Sequence, residues 1–202
     1  MNENHEALCS SVEWATVLQE DVVGPLTGRV DLGEQMLEIG PGFGAATEWL
    51  RHRVRHLTAL EVDQGAAEEL SERLADVEVL VGDATAMTFA DATFDCVGCF
   101  TMLHHVATAT EQNRVLTEAF RVLRPGGVLV GADSLASVEL HHFHAGDTYN
   151  PIEPATLLTR LQTIGFERIT VSVDDRLTFI AYRPSDGDRS CASQPTKEEQ
   201  AR

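Results

Sequence analysis

The sequence predicts a single doubly wound α/β domain on three observations. Short apolar runs alternate with segments of helical period, the first run enters its helix through three alternate glycines, and acidic residues stand at or beside the ends of the first three runs. Such alternation builds βαβ units. Right-handed crossovers then give a parallel sheet with helices on both faces, and a ligand crevice outside the carboxyl ends of the strands.

Residues 3–22 carry Leu8, Val12, Ala15, Leu18 and Val22 at helical spacing and end near Gly24-Pro25, which predicts one amphipathic helix containing Trp14. Met36 to Ile39 is short and apolar, as a buried parallel strand requires, and a helix begins at Ala45. His56–Val62, Val77–Gly82, Phe94–Leu103 and Gly127–Ala132 read as further strands, and Gln64–Leu74 and Thr110–Leu123 as the intervening helices. Asp63 suits the N-cap of the first of these helices, and Arg124-Pro125-Gly126-Gly127 suits a turn into the fifth strand. Beyond Asp133 a polar, His-rich stretch precedes a helix over Pro154–Ile164, closed by Gly165. Phe166–Val173 and Leu177–Tyr182, joined by Asp174-Asp175-Arg176, predict an antiparallel hairpin because the connection is too short for a crossover. The domain is expected over residues 1–183, with a helical cap over 1–30 and a lid-like insertion over 134–152; residues 184–202 lack apolar periodicity and read as a disordered tail.

With 202 residues, 43% of them hydrophobic, the chain can bury one sizeable core. Fifteen basic against 32 acidic residues give a formal charge of −17, and Lys197 is the only lysine. A nucleic-acid surface needs clustered cations, so a small neutral or cationic substrate is the expected partner. No apolar run approaches membrane-spanning length, and Glu3, Glu6, Glu13 and Glu20 occupy the stretch where a signal peptide is basic and apolar; a cytoplasmic location is expected. The oligomeric state stays open. Of the four cysteines (9, 96, 99 and 191), Cys96 and Cys99 fall on one strand, where residues three apart face opposite sides and cannot share an ion. Reduced core cysteines are the expectation.

The loop Gly40-Pro41-Gly42-Phe43-Gly44 follows Glu38 and Ile39. It satisfies Gly-x-Gly-x-Gly and, through Ala45, Gly-x-Gly-x-x-Ala, so taken alone it fits either a nucleoside or a dinucleotide. Glu61 lies 21 residues after Gly40, near the interval at which an acidic side chain meets ribose hydroxyls, and Asp83, one strand further out, can reach a base. Pyrophosphate asks for bare N–H groups and positive charge. With Glu38 beside the loop and no Lys or Arg between residues 34 and 50, a cationic sulfonium with its ammonium group is the better match.

Five ordered motifs resemble the class I S-adenosylmethionine-dependent methyltransferases: Leu37-Glu38-Ile39-Gly40-Pro41-Gly42-Phe43-Gly44, Leu60-Glu61-Val62-Asp63, Gly82-Asp83-Ala84, Phe94-Asp95-Cys96-Val97 leading to Leu103-His104-His105-Val106, and Leu123-Arg124-Pro125-Gly126-Gly127. The resemblance covers roughly Met36 to Asp133. It implies a seven-stranded sheet of order 3-2-1-4-5-7-6 with the last strand antiparallel, S-adenosylmethionine as cofactor and S-adenosylhomocysteine as product. It further implies that Glu38 with Gly40, Gly42 and Gly44 meets the methionine and ribose parts of the cofactor. Glu61 with Val62 would take the ribose hydroxyls, Asp83 with Ala84 the adenine, and Cys99, Phe100 and Thr101 the methionine end. The expected reaction is methyl transfer to a small acceptor by in-line displacement, in which positioning carries much of the catalysis. His104 or His105, at the open end of the fourth strand, is the candidate base. Trp14, His141, His144 and Tyr149 are candidates to line the acceptor side. The His141-His142-Phe143-His144 spacing matches no firm metal motif, and no metal is expected. The competing readings are an NAD-dependent oxidoreductase and a non-catalytic nucleoside-binding or scaffolding protein.

Overall fold

The computed structural model describes residues 2–185 and 187; most of the expected tail, with Cys191 and Lys197, lies outside the described residues. Seven strands form: β1 (Gln35–Ile39), β2 (His56–Glu61), β3 (Glu78–Val81), β4 (Phe94–Phe100), β5 (Leu123–Asp133), β6 (Glu167–Val173) and β7 (Leu177–Tyr182). They make one sheet of order β3-β2-β1-β4-β5-β7-β6, with β1 to β5 parallel and β7 antiparallel to both its neighbours. This is the expected order. The helices are α1 (Glu3–Cys9), α2 (Val12–Val17), α3 (Gly24–Thr27), α4 (Ala45–Leu50), α5 (Gln64–Arg73), α6 (Ala109–Val122), α7 (Val138–Phe143) and α8 (Pro154–Ile164).

Side chains alternate along each central strand, so the sheet feeds two cores. Leu37, Val97 and Leu129 pack with Val115, Leu116 and Leu157 on one face, while Met36, Cys96 and Val128 pack with Leu18, Val22, Leu50 and Leu70 on the other. Cys96 and Cys99 therefore enter different cores, and burial pushes both thiols far above their ordinary range. Neither can act as a metal or redox pair with the other.

Local chemistry sets the helix ends. Asp63 Oδ1 accepts from the Ala66 amide at 2.8 Å, as an N-cap does, and Gly165 closes α8 in the left-handed region at φ 115°. The expected single helix over residues 3–22 is instead broken. Ser11 is extended, and its hydroxyl accepts from Trp14 N at 3.1 Å; the chain restarts as α2, continues as a π-helical turn over Leu18–Val23 and ends in α3. A cap hydrogen bond outweighed the apolar spacing, because Leu8 and Val12 stay exposed and offer no burial to hold a continuous helix.

Two further boundaries move. β4 stops at Phe100, since Thr101 turns to φ 54° and a 3₁₀ turn covers Leu103–His105. The turn expected at Arg124–Gly127 is a bulge inside β5: Phe94 pairs with Leu123 and Cys96 with Val128, so two steps along β4 match five along β5. Within the His-rich stretch, Ser137 caps the short α7 through the Leu140 amide at 3.1 Å.

Candidate functional site

A cavity of about 490 Å³ opens at the carboxyl ends of β1, β2 and β4. The winding reverses between β1 and β4, so this is the switch point at which such sheets bind ligands. Its floor is the loop after β1. Gly40, Gly42 and Gly44 all adopt positive φ (64°, 53° and 78°), which L side chains rarely tolerate. A Cβ on Gly42 would meet nothing within 4 Å, so the loop is open on the cavity side; one on Gly44 would sit 2.3 Å from Leu70 Cδ1, so the loop rests directly on α5. Arg73 of α5 donates to the Phe43 carbonyl from behind. A cation thus supports the loop without facing the cavity, a contact that inspection of residues 34–50 alone misses.

Two carboxylates face this loop in different states. Glu61 accepts from the Gly42 amide at 3.0 Å and from the Val62 and Asp63 amides at 2.9 and 3.0 Å. Three of its roughly four acceptor positions are filled, leaving about one for a hydroxyl from a ligand. Glu38 is 2% exposed, and neither its Oε2 nor the Thr47 hydroxyl has a hydrogen-bond partner among the described residues. Burial raises the Glu38 carboxyl to about 7; the nearby Thr47 hydroxyl, although outside hydrogen-bond geometry, opposes the rise, and the Glu61 charge adds to it. A buried carboxyl without compensation is costly, and a cation arriving in the cavity would relieve that cost.

The opposite wall is Phe100, Thr101 and Met102, with His104 and His105 beyond them. Thr101 holds its left-handed backbone while its amide N–H donates to the Ala132 carbonyl at 2.7 Å. Buried His104 is fixed twice by Asp133: Nδ1 meets Oδ1 at 2.5 Å and its amide donates to Oδ2 at 3.2 Å. With the Nδ1 proton directed at a carboxylate, Nε2 keeps the lone pair. His105 is different. Its Nδ1 meets the Thr148 carbonyl at 3.3 Å, and burial, then His104 and His5, push its pKa down to about 3, which makes it a poor proton acceptor at neutral pH.

The N-terminal segment and the stretch after β5 contribute further lining. Trp14 lines the cavity, and Gln19 Nε2 donates to the Ala45 carbonyl at 2.8 Å, tying the N-terminal segment to the helix after the glycine loop. His144 turns inward from the end of α7, and Tyr149 stacks on it at 4.4 Å without lining the cavity. Of the remaining sequence candidates, Glu38, the Gly40 and Gly42 backbone, Glu61, Val62, Phe100 and Thr101 come together here. Cys99 does not, because strand alternation directs it into the core. His141 is exposed on the outer side of α7. Asp83 and Ala84 lie outside the cavity; Asp83 is exposed at the tip of β3, its carboxylate accepting from the Thr85 amide at 2.7 Å. Three residues had gone unassigned. Asp133 shared with Glu38 and Glu61 the signal of an acid at a strand end, Asp147 lay beside the His-rich run, and His5 carried no local signal.

This site has the features of a doubly wound domain built for a nucleoside that carries a cationic arm. The glycine turn is open at Gly42, Glu61 keeps about one acceptor position unfilled, and Glu38 buries a carboxyl oxygen that has no partner among the described residues. Residues 37–131 match the family model described as "Methyltransferase domain". The matched stretch is 95 of the 202 residues, and the sheet order is that of a class I, Rossmann-like fold. It is 33% identical over 101 residues to a demethylmenaquinone methyltransferase of Renibacterium salmoninarum, covering 50% of this chain and 41% of that protein. It is 32% identical over 145 residues to a malonyl-[acyl-carrier protein] O-methyltransferase of Serratia marcescens, covering 71% and 54%. The chain thus spans about half the length of these relatives. Among solved structures, a SAM-dependent methyltransferase of Methanosarcina mazei superposes with a TM-score of 0.68 at 17% identity, over 81% of this chain and 98% of that one, which shows the common fold.

Proposed function

We propose that the protein is an S-adenosylmethionine-dependent methyltransferase acting on a small-molecule acceptor. The observation that carries this reading is Glu38: a buried carboxyl with an oxygen that has no partner among the described residues, under a glycine loop that is open to the cavity. A dinucleotide offers that carboxyl a negative pyrophosphate, whereas the amino-acid arm of the proposed cofactor offers it a positive ammonium. When bound, the cofactor supplies an electrophilic methyl group on a sulfonium. Glu38 and Glu61 hold the cationic and hydroxyl-bearing ends, and Asp83 with Ala84, one strand further out, is proposed to meet the adenine. Thr101 and Met102 narrow the wall toward the acceptor side. His104, oriented by Asp133, is proposed to take a proton from the acceptor at Nε2.

The cap over residues 1–30 and the segment 134–152 are proposed as one lid that excludes water, supported by Trp14 and His144 in the cavity lining. The formal charge of −17 supports a small acceptor over nucleic acid. No helix among the described residues is long and apolar enough to cross a membrane, and a cytoplasmic site of action is proposed with it.

Calorimetry tests the reading directly. S-adenosylmethionine and S-adenosylhomocysteine are expected to bind, and NADH is not; NADH binding alone would overturn the assignment. Turnover against a panel that includes a demethylated quinol and a malonyl thioester then separates an enzyme from a nucleoside-binding scaffold.

A further inference from the structure

Three histidines that are distant in sequence meet at the rim of the same cavity: His5 from α1, His105 from the 3₁₀ turn after β4 and His144 from the end of α7. One ligand nitrogen from each lies within 4.8 Å of the other two. Their ring centroids are 4.5 Å apart for His5 and His144, 4.9 Å for His5 and His105, and 5.3 Å for His105 and His144. In every ring Nδ1 already faces an acceptor. Asp147 Oδ2 takes His5 at 3.1 Å, the Thr148 carbonyl takes His105 at 3.3 Å, and the Leu140 carbonyl takes His144 at 2.7 Å. An acceptor at Nδ1 fixes the proton there and leaves the Nε2 lone pair free. For His144 that Nε2 is buried with no partner among the described residues.

We propose that His5, His105 and His144 bind one divalent transition-metal ion of the zinc class through their Nε2 atoms. Neutral imidazoles are preferred ligands for such ions, and a carboxylate or carbonyl on the second ring nitrogen is the outer-shell arrangement that orients them. Zinc–nitrogen bonds of about 2.0–2.1 Å in a tetrahedral site put ligand atoms roughly 3.3 Å apart. From separations within 4.8 Å, the trio has up to about 1.5 Å to close around one ion. The ion also gives the buried His144 Nε2 the partner it lacks. Three protein ligands leave one coordination position, the count of a site that exchanges a ligand rather than a closed structural one. That position borders the cavity; its use in holding an acceptor oxygen or sulfur would rest on the methyltransferase reading, but the metal site itself does not. Of the run His141-His142-Phe143-His144, His141 and His142 are exposed on α7, and His144 is the histidine that lines the cavity.

The test uses the full-length chain without a polyhistidine tag. Its metal content is measured as purified, and the chelator-treated protein is titrated with Zn²⁺ by calorimetry and with Co²⁺ by visible absorption. One ion per chain is expected, with the ligand-field bands of a low-coordinate Co²⁺ site. His5→Gln and His144→Gln should each weaken binding at least tenfold, while His141→Ala and His142→Ala leave it unchanged. Circular dichroism and S-adenosylhomocysteine binding on the same samples report the fold and the cofactor site separately, so retained cofactor binding with lost metal isolates the histidine trio. Absence of stoichiometric metal in both assays, or equal affinity in the His5→Gln/His144→Gln double variant, overturns the proposal and leaves the trio as a packed aromatic box.

Discussion

Glu38 and Glu61 end neighbouring parallel strands beneath one glycine loop, yet Glu61 accepts three backbone amides while Oε2 of Glu38 has no partner among the described residues. The difference follows from chain direction. Glu61 sits where the chain turns into α5, with its own following amides in reach, whereas the glycines after Glu38 turn their amides elsewhere: Gly40 donates to the Leu60 carbonyl and Gly44 to the Pro41 carbonyl, both at 2.9 Å. One carboxylate shapes the loop, and the other does not.

That division makes stability depend on pH through Glu38. Its folded value, raised by burial from the ordinary 4.5 to about 7, means that between these limits the unfolded chain releases a proton that the folded chain keeps. Stability from this group therefore falls as pH rises through that window and is constant above it, by up to about 3 kcal/mol. Glu38→Gln should equal the parent near pH 4.5 and exceed it by about 1–3 kcal/mol at pH 8 in urea unfolding. A difference that does not change with pH would refute the assignment.

Cofactor binding should report the same proton. Below about pH 7 the free protein holds Glu38 neutral, and pairing with an ammonium favours the ionised form, so binding expels a proton. Titrations at pH 6 in two buffers of different ionisation enthalpy are expected to show up to one proton released, and titrations at pH 8.5 none. Affinity rises with pH up to about 7. Identical heats in both buffers at pH 6 would separate Glu38 from the ligand.

Glu61→Ala and Asp83→Ala should divide stability from binding. Removing Glu61 strips three amides of their acceptor at a site 8% exposed, so about 1–3 kcal/mol of folding stability is expected to go together with at least tenfold in cofactor affinity. Asp83 is exposed and accepts one turn amide, so its loss should cost stability only a few tenths of a kcal/mol. Any weakening of cofactor binding in Asp83→Ala then measures the adenine contact. Unchanged affinity limits the binding site to the cavity bounded by Glu61 and Val62.

Asp133→Asn tests the orientation of His104. The substitution keeps the shape but removes the charge that accepts from the ring, the His104 amide and the Ser134 amide. A fall in kcat of tenfold or more with cofactor Kd unchanged is expected, and His104→Ala should give no further fall in the Asp133→Asn background. If the two losses multiply instead, the residues act separately.

Most of the fold was legible because period and punctuation agree along it: helices separate β1 from β2, β2 from β3 and β4 from β5, and the hairpin turn leaves β6 and β7 no parallel option. The gathering of Glu38, Gly40, Gly42 and Glu61 at one cavity was legible for the same reason, since they lie on one βαβ unit. The far side of the cavity was not. His5 meets Asp147 across 142 positions, a contact that no local spacing encodes. The break at Ser11 was visible as a cap residue but was overridden by apolar spacing that the exposed Leu8 and Val12 do not use. Cys99 was carried along by its motif although strand alternation alone assigns it to the core.

Two glycines of the loop should respond to the same substitution in different ways. Gly42→Ala adds a methyl where nothing lies within 4 Å, so only the left-handed backbone at φ 53° resists it, at about 1 kcal/mol. The new methyl projects into the cavity, and cofactor affinity is expected to drop at least tenfold. Gly44→Ala meets Leu70 Cδ1 at 2.3 Å and Arg73 Nη2 at 2.9 Å in addition to φ 78°, so the loop or α5 must shift. Its cost is expected to reach about 2–4 kcal/mol, combining backbone strain with overpacking. Thermal unfolding and calorimetry on both variants decide the matter. A Gly42→Ala protein that binds normally would mean that the open side of the loop is not where the cofactor lies, whereas a stable Gly44→Ala protein would mean that α5 does not brace the loop.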